Sequence, residues 1–201
     1  MAIIMKNLVE EFNVTPDANG NTRAKTPVMR LSYTFVFEPK ETPSGDMKYT
    51  TCMIFNKDDK KELKSVVQSI ANACAKKFGE DPKKWPKNLK CPLRDGDEER
   101  DNAEYENAYF MNGGNKNKPG LVDRQAQPIM DPAEFYSGCY ARASLSFYPY
   151  DVKGNKGVGT GLNNLMKWDD GERLDGSVSA EDDFKEFAET SEAQVAEDDN
   201  F

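Results

Sequence analysis

Residues 28–37, VMRLSYTFVF, alternate with period two: Met29, Leu31, Tyr33, Phe35 and Phe37 share one face, and Arg30, Ser32 and Thr34 share the other. That pattern predicts a half-buried β-strand. The stretch Pro43-Ser44-Gly45-Asp46 carries turn chemistry, and alternation resumes over 47–55, with Met47, Tyr49, Met53 and Phe55 opposed to Lys48 and Thr50. The two segments read as a hairpin. From Asp59 the period lengthens to about 3.6, the repeat of an amphipathic helix. Leu63, Val66, Val67, Ile70, Cys74 and Phe78 form its stripe, and Lys60, Lys64 and Lys76 lie off it. Asp59 and Glu62 have capping-box spacing at its start, while Lys76, Lys77 and Gly79 fit a stop.

Residues 80–106 mix charges with prolines, show no period and read as a long loop with little regular structure. Residues 107–112 fit a short strand, and Gly113 to Gly120 a flexible basic loop. The clearest strand spans 139–150: Cys139, Ala141, Ala143, Leu145 and Phe147 make a core face, opposed to Tyr140, Arg142, Ser144, Ser146, Tyr148 and Tyr150. Lys153 to Gly157 signals a turn, and 157–168 continue as a glycine-rich strand or a short helix. Past Trp168 the hydrophobic pattern collapses apart from Phe184 and Phe187. Low hydrophobicity with high charge predicts disorder there.

Charge divides at the same place. Residues 169–201 hold thirteen Asp and Glu against Arg173 and Lys185, leaving 25 basic and 22 acidic residues in the first 168. The net charge of −8 therefore conceals a body of +3 and a tail of −11. A mildly basic body with an acidic tail is how several single-stranded DNA-binding proteins are built. The division predicts one domain over 1–168 and a separate tail over 169–201. No apolar run approaches the roughly 20 residues needed to cross a bilayer, and the apolar start is too short for a signal-peptide core, so a cytoplasmic protein is expected, with no membrane partner. Histidine is absent, and the four cysteines are scattered among small and apolar residues. The commonest general base and transition-metal ligand are thereby removed. No catalytic residue, metal or cofactor is expected.

The candidate chemistry lies on the polar strand faces. Arg30, Lys48 and Arg142 each sit on one, the last flanked by Tyr140, Tyr148 and Tyr150. Curled into a small barrel, these strands would fill it with their apolar faces and present cations and rings outside. Rings stack on bases whatever the sequence, and cations follow phosphates. Lys116 and Lys118, and Lys153 and Lys156, stand among glycines and asparagines in loops that would let a phosphate strand approach. Lys83, Lys84, Trp85, Lys87 and Lys90 form a weaker basic group, in which Trp85 serves equally well to pin the loop to the core. The Gly157-Val158-Gly159-Thr160-Gly161 run lacks the Gly-Lys-Ser/Thr of a phosphate-cradling loop. Asp95, Asp97, Glu98, Glu99 and Asp101 fall in one charge-mixed loop, a poor way to build a two-metal nuclease site.

Gly138-Cys139-Tyr140-Ala141-Arg142-Ala143, Phe147-Tyr148-Pro149-Tyr150, Lys153 to Val158 and Gly161-Leu162-Asn163-Asn164 together resemble a family of tailed-phage single-stranded DNA-binding proteins with an OB-type barrel. The likeness spans nearly the whole chain and is strongest over 138–176. It implies a mainly β fold: a five-stranded OB-fold barrel with one inserted amphipathic helix, followed by a disordered acidic tail. It also implies a non-enzymatic protein of the host-cell cytoplasm that coats single strands during phage replication, recombination or repair. The tip Glu197, Asp198, Asp199 and Phe201 would contact phage or host replication proteins, while the charge of the tail as a whole predicts that it competes with DNA for the basic face. Pairing of two copies as a homodimer is left open. Two rival readings stand beside this one: an acidic-tailed protein-interaction module without DNA binding, and a phage recombination nuclease.

Overall fold

The computed structural model describes residues 5–174 together with Gly176 and Phe184. The expected tail disorder and the acidic-aromatic tip at Glu197, Asp198, Asp199 and Phe201 lie outside the described residues. In chain order the elements are α1 (Met5–Glu11), β1 (Arg23–Lys25), β2 (Met29–Glu41), β3 (Met47–Asn56), α2 (Lys60–Phe78), β4 (Arg94–Asp95), α3 (Gly96–Glu99), β5 (Ala108–Asn115), β6 (Gly120–Val122), β7 (Tyr140–Val152) and β8 (Asn155–Asp169).

The fold is mainly β, as the alternating segments require. β2 and β3 pair antiparallel as the predicted hairpin, and β3 pairs with β5. β5 meets β8 through Gly114 and Gly161, β8 pairs with β7 along its length, and β7 returns to β2 at Ala141 and Tyr140. Five strands therefore close a circuit. Its interior holds Met29, Leu31, Met53, Phe55, Met111, Leu145, Phe147 and Leu162, all essentially inaccessible. The glycine-rich segment after Lys153 is a strand and not a helix. Lys153 and Gly154 both have positive φ (51° and 81°), which makes the tight two-residue hairpin turn from β7 into β8.

The α2 stripe packs as its spacing demands, with Leu63, Val66, Val67, Ile70 and Cys74 fully buried. The helix stops at Gly79, at φ 84°, where the Gly79 amide donates to Ala75 O. The capping box is not formed. A 3-10 turn at Lys57–Asp59 precedes the helix, and Asn56 caps that turn by accepting from the Asp58 amide, so the Asp59 side chain makes no cap bond. At the N-terminus α1 buries Met5, Leu8 and Val9, and its Glu11 accepts from Lys60 Nζ at 2.7 Å and Tyr109 OH at 2.6 Å.

Three expectations need correction. The face assigned to β2 inverts midway: Met29 and Leu31 are buried, but Tyr33 is 61% exposed and Val36 is buried instead. The cause is a bulge between Ser32, opposite Cys52, and Phe35, opposite Thr50, in which Tyr33 takes φ 47°. An extra residue on one strand turns the side chains that follow it to the other face, here as far as a second register shift between Phe35 and Lys40.

The 80–106 segment is pinned and contains short elements. Trp85 is buried and donates from Nε1 to Gly79 O at 2.6 Å; Leu89, Leu93 and Tyr105 are also buried. Asp81 and Asp95 accept amide hydrogens at the starts of the 3-10 turn at Pro82–Lys84 and of α3. The expected basic loop over 113–120 is half strand. Gly113 to Asn115 continue β5, where a Cβ on Gly113 would stand 2.9 Å from Met53 Cε. Glycine there permits close packing of β5 on β3, and the connection shrinks to Lys116–Pro119.

Candidate nucleic-acid interface

The β2–β3 hairpin, β5 and the β7–β8 ribbon enclose an open groove of about 1010 Å³. Its walls carry the rings of Tyr33, Phe35 and Tyr148, and its cations are Lys40, Lys48 and Lys116. Tyr33 and Tyr148 are exposed by 61% and 53%. Water-facing rings of this size in one concavity have no packing role to explain them. The floor is Gly113, Gly114 and Gly161, and a Cβ on Gly161 would meet Ser146 Oγ at 2.7 Å. A bare backbone keeps the floor low enough for a flat ligand to settle between the rings. Lys40 Nζ lies 4.4 Å from the Phe35 ring centroid, so one cation already covers one stacking surface.

Of the ten positions singled out in the sequence, the structure brings three into this groove: Lys48, Lys116 and Tyr148. Arg30 instead clasps the chain end, donating from Nε to Gly138 O at 3.3 Å and from Nη2 to Glu172 O at 2.8 Å. Lys118 covers the Phe37 ring at 4.7 Å. Tyr150 packs its hydroxyl toward Gly157, while Lys153 and Lys156 belong to the β7–β8 turn, Lys156 facing Asp151 at 3.4 Å. Arg142 sits at the opposite end of β7, 4.7 Å from the Trp168 ring, whose other neighbour is Arg124 at 4.6 Å. Tyr140, 37% exposed, borders the same end beside Gly171.

Sequence reasoning missed Tyr33, Phe35 and Lys40. Alternation unbroken from Met29 puts the two rings on the core face. The visible warning is the apolar run Phe35-Val36-Phe37, which period two cannot assign to one face.

Two carboxylates offset the groove's cations: Glu41 lines it, and Asp46 stands beside it. Asp46 contacts Lys116 at 2.8 Å and Lys48 at 3.6 Å. The Lys116 hydrogen bond and charge, followed by Lys48, hold its carboxyl below the usual range. Three carboxylates of the 95–101 loop have structural roles: Asp95 and Asp97 both accept from Lys57 Nζ at 2.6 Å, and Glu99 pairs with Arg94. Burial disfavours the Lys57 charge, but the two carboxylates outweigh it and raise the ammonium pKa. The four cysteines are free thiols, and no helix among the described residues is long and apolar enough to cross a membrane.

Past β8 the chain stays on the body. Tyr136 OH meets Asp170 Oδ1 and Gly171 O, each at 3.0 Å, and the Leu174 amide donates to Ser137 O at 2.8 Å.

Residues 22–196 match the family described as "Enterobacter phage Enc34, ssDNA-binding protein". Protein p50 of Acyrthosiphon pisum secondary endosymbiont phage 1 is 27% identical over 176 residues, covering 83% of this chain and 95% of that protein. Among solved structures, the single-stranded DNA-binding protein from bacteriophage Enc34 in complex with ssDNA superposes with a TM-score of 0.66 at 20% identity, covering 76% of this chain and 89% of its own. The single-stranded DNA-binding protein encoded by bacteriophage T7 has a TM-score of 0.56 at 12% identity, covering 78% and 97%. At such identities these structures speak to the fold.

Proposed function

The chain belongs to the Enc34 phage single-stranded DNA-binding protein family, and from that premise we propose that it holds single-stranded DNA in the groove between the β2–β3 hairpin and the β7–β8 ribbon. The observation that carries this reading is the gathering of three accessible rings, Tyr33, Phe35 and Tyr148, with Lys40, Lys48 and Lys116 over a glycine floor. Stacked bases contribute roughly 1 to 3 kcal/mol each without regard to sequence, and lysines follow the backbone. The protein acts by binding alone, coating strands during phage DNA replication, recombination and repair in the host cytoplasm.

The residues from 175 onward carry ten Asp and Glu against Lys185. Tethered to the body at an effective concentration of order millimolar, such a segment competes for the groove until DNA displaces it. Its tip at Glu197, Asp198, Asp199 and Phe201 then recruits replication proteins.

Titration of a short thymidine oligomer, of about 4 nucleotides, at two salt concentrations tests the groove. Three lysine–phosphate contacts at about −0.7 each predict an affinity loss of about 20-fold between about 50 and 200 mM salt. Tyr33→Ala and Tyr148→Ala should each weaken binding. A flat salt response with undiminished affinity in both variants would overturn the reading.

A further inference from the structure

The lysines nearest the groove's turn are partly neutralised, since Lys48 and Lys116 both face Asp46. Just outside the groove the position is reversed. β1, a strand absent from the hydrophobic pattern, presents Arg23 and Lys25 exposed on its outer face, and neither meets a carboxylate among the described residues. They border a recess of about 580 Å³ between β1, β7 and α2, whose other polar lining includes Ser65, Gln68, Asn72 and Ser144. Among the described residues no carboxylate lines it. Two unpaired cations with hydroxyls and amides are the chemistry of a phosphodiester site.

The recess joins the groove. Ser146, a groove residue, stands directly across from Arg23, and Ser144 stands across from Lys25. Tyr148 lies two positions along β7 from Ser146, about 6.6 Å, and one strand spacing of about 5 Å leads on to β1. β1 is also held rigidly. Ser69 Oγ donates to Arg23 O at 3.1 Å, Asn72 Nδ2 donates to Asn21 O at 3.0 Å, and Asn21 Oδ1 accepts from the Arg23 amide at 2.9 Å. Helix α2 thus fixes the strand that carries the cations.

Resting on the groove reading above, we infer that a single strand leaving the groove past Tyr148 and Ser146 continues over β1, where Arg23 and Lys25 take two successive stretches of its phosphate backbone. The recess is then a backbone-gripping extension of the stacking site. It lengthens the footprint without reading sequence.

The test uses the full chain with Arg23→Gln and Lys25→Gln together, against thymidine oligomers of about 4 and about 16 nucleotides, the limits of single-barrel site sizes. The logarithmic salt slope for the long oligomer should fall by about 1.4, or about 0.7 per contact, while binding of the short one stays at the wild-type level. The charge-preserving pair Arg23→Lys with Lys25→Arg should restore the slope, separating charge from folding. An unchanged slope on the long oligomer overturns the inference, as does an equal loss on both lengths, which would put these cations inside the groove's own footprint. Wild-type protein that binds neither oligomer would overturn the groove reading itself.

Discussion

Tyr148 lies against the backbone of Gly159, its partner across the β7–β8 ribbon: a Cβ on Gly159 would stand 2.5 Å from the ring carbon Cζ. The missing side chain is what lets an exposed ring take one position at the groove edge. Gly159→Ala should displace the ring and weaken oligonucleotide binding by about 1 to 3 kcal/mol, the value of one stacked base. Fluorescence anisotropy with a labelled thymidine oligomer checks this. An alanine variant with wild-type affinity would mean that the ring's placement does not matter.

Asp46 faces both Lys48 and Lys116 and so competes with phosphate for them. Asp46→Asn should raise affinity and leave the three-lysine salt slope unchanged, since both lysines meet phosphate in either protein but in the variant no longer leave a carboxylate to do so. The Lys116 hydrogen bond lowers the Asp46 pKa, so the pairing is complete above the ordinary carboxylate range and is lost as pH falls through the lowered value. Affinity curves for the wild type and for Asp46→Asn should therefore stay apart at neutral pH and converge in strong acid.

The segment after β8 belongs physically to the body. A chain ending at Trp168 loses the Asp170 and Gly171 partners of Tyr136, the Glu172 carbonyl held by Arg30, and the Leu174 amide bond to Ser137. At about 1 kcal/mol per hydrogen bond, the 1–168 chain should melt about 10 °C below the 1–174 chain, given about 2 to 4 °C per kcal/mol at this size. Arg30→Gln should likewise lower the melting temperature while leaving oligonucleotide affinity intact. A loss of affinity at unchanged stability would instead return Arg30 to the interface.

Burial in the α2 face pushes the Cys74 thiol up to about 12, with Cys91 adding to the effect. The unfolded chain releases this proton first as pH rises, so the contribution to stability is whole below about pH 9 and drains away toward 12. Tyr105 and Tyr109, raised chiefly by burial, act in the same direction. Melting curves in reductant should show a steep alkaline decline, less steep in Cys74→Ala. Parallel curves for the two proteins would refute this.

Much of the architecture was legible because burial obeys periodicity. The 139–150 core face and the α2 stripe are buried where their spacing puts them, since nothing interrupts either repeat. The 80–106 segment was not legible, because Trp85, Leu89, Leu93 and Tyr105 hold it at irregular intervals that generate no period. β1 stayed hidden for another reason: Arg23-Ala24-Lys25 offers one apolar residue, and its strand geometry comes from pairing with β7 and from the Ser69 and Asn72 bonds. The candidate site was half readable. Lys48, Lys116 and Tyr148 follow from strand polarity, whereas Tyr33 and Phe35 depend on a backbone irregularity whose one mark in residue type is the apolar run Phe35-Val36-Phe37.

That irregularity makes the length of β2 a functional quantity. Without the added residue at Tyr33, the same aromatic side chains would point into the barrel and Val36 would face solvent. The ligand-facing wall would lose two of its three flat surfaces with no aromatic residue exchanged. If the groove binds as proposed, insertions and deletions between the Leu31 and Val36 positions should switch it between adhesive and inert, and counting residues there should sort relatives of this chain before any comparison of chemistry.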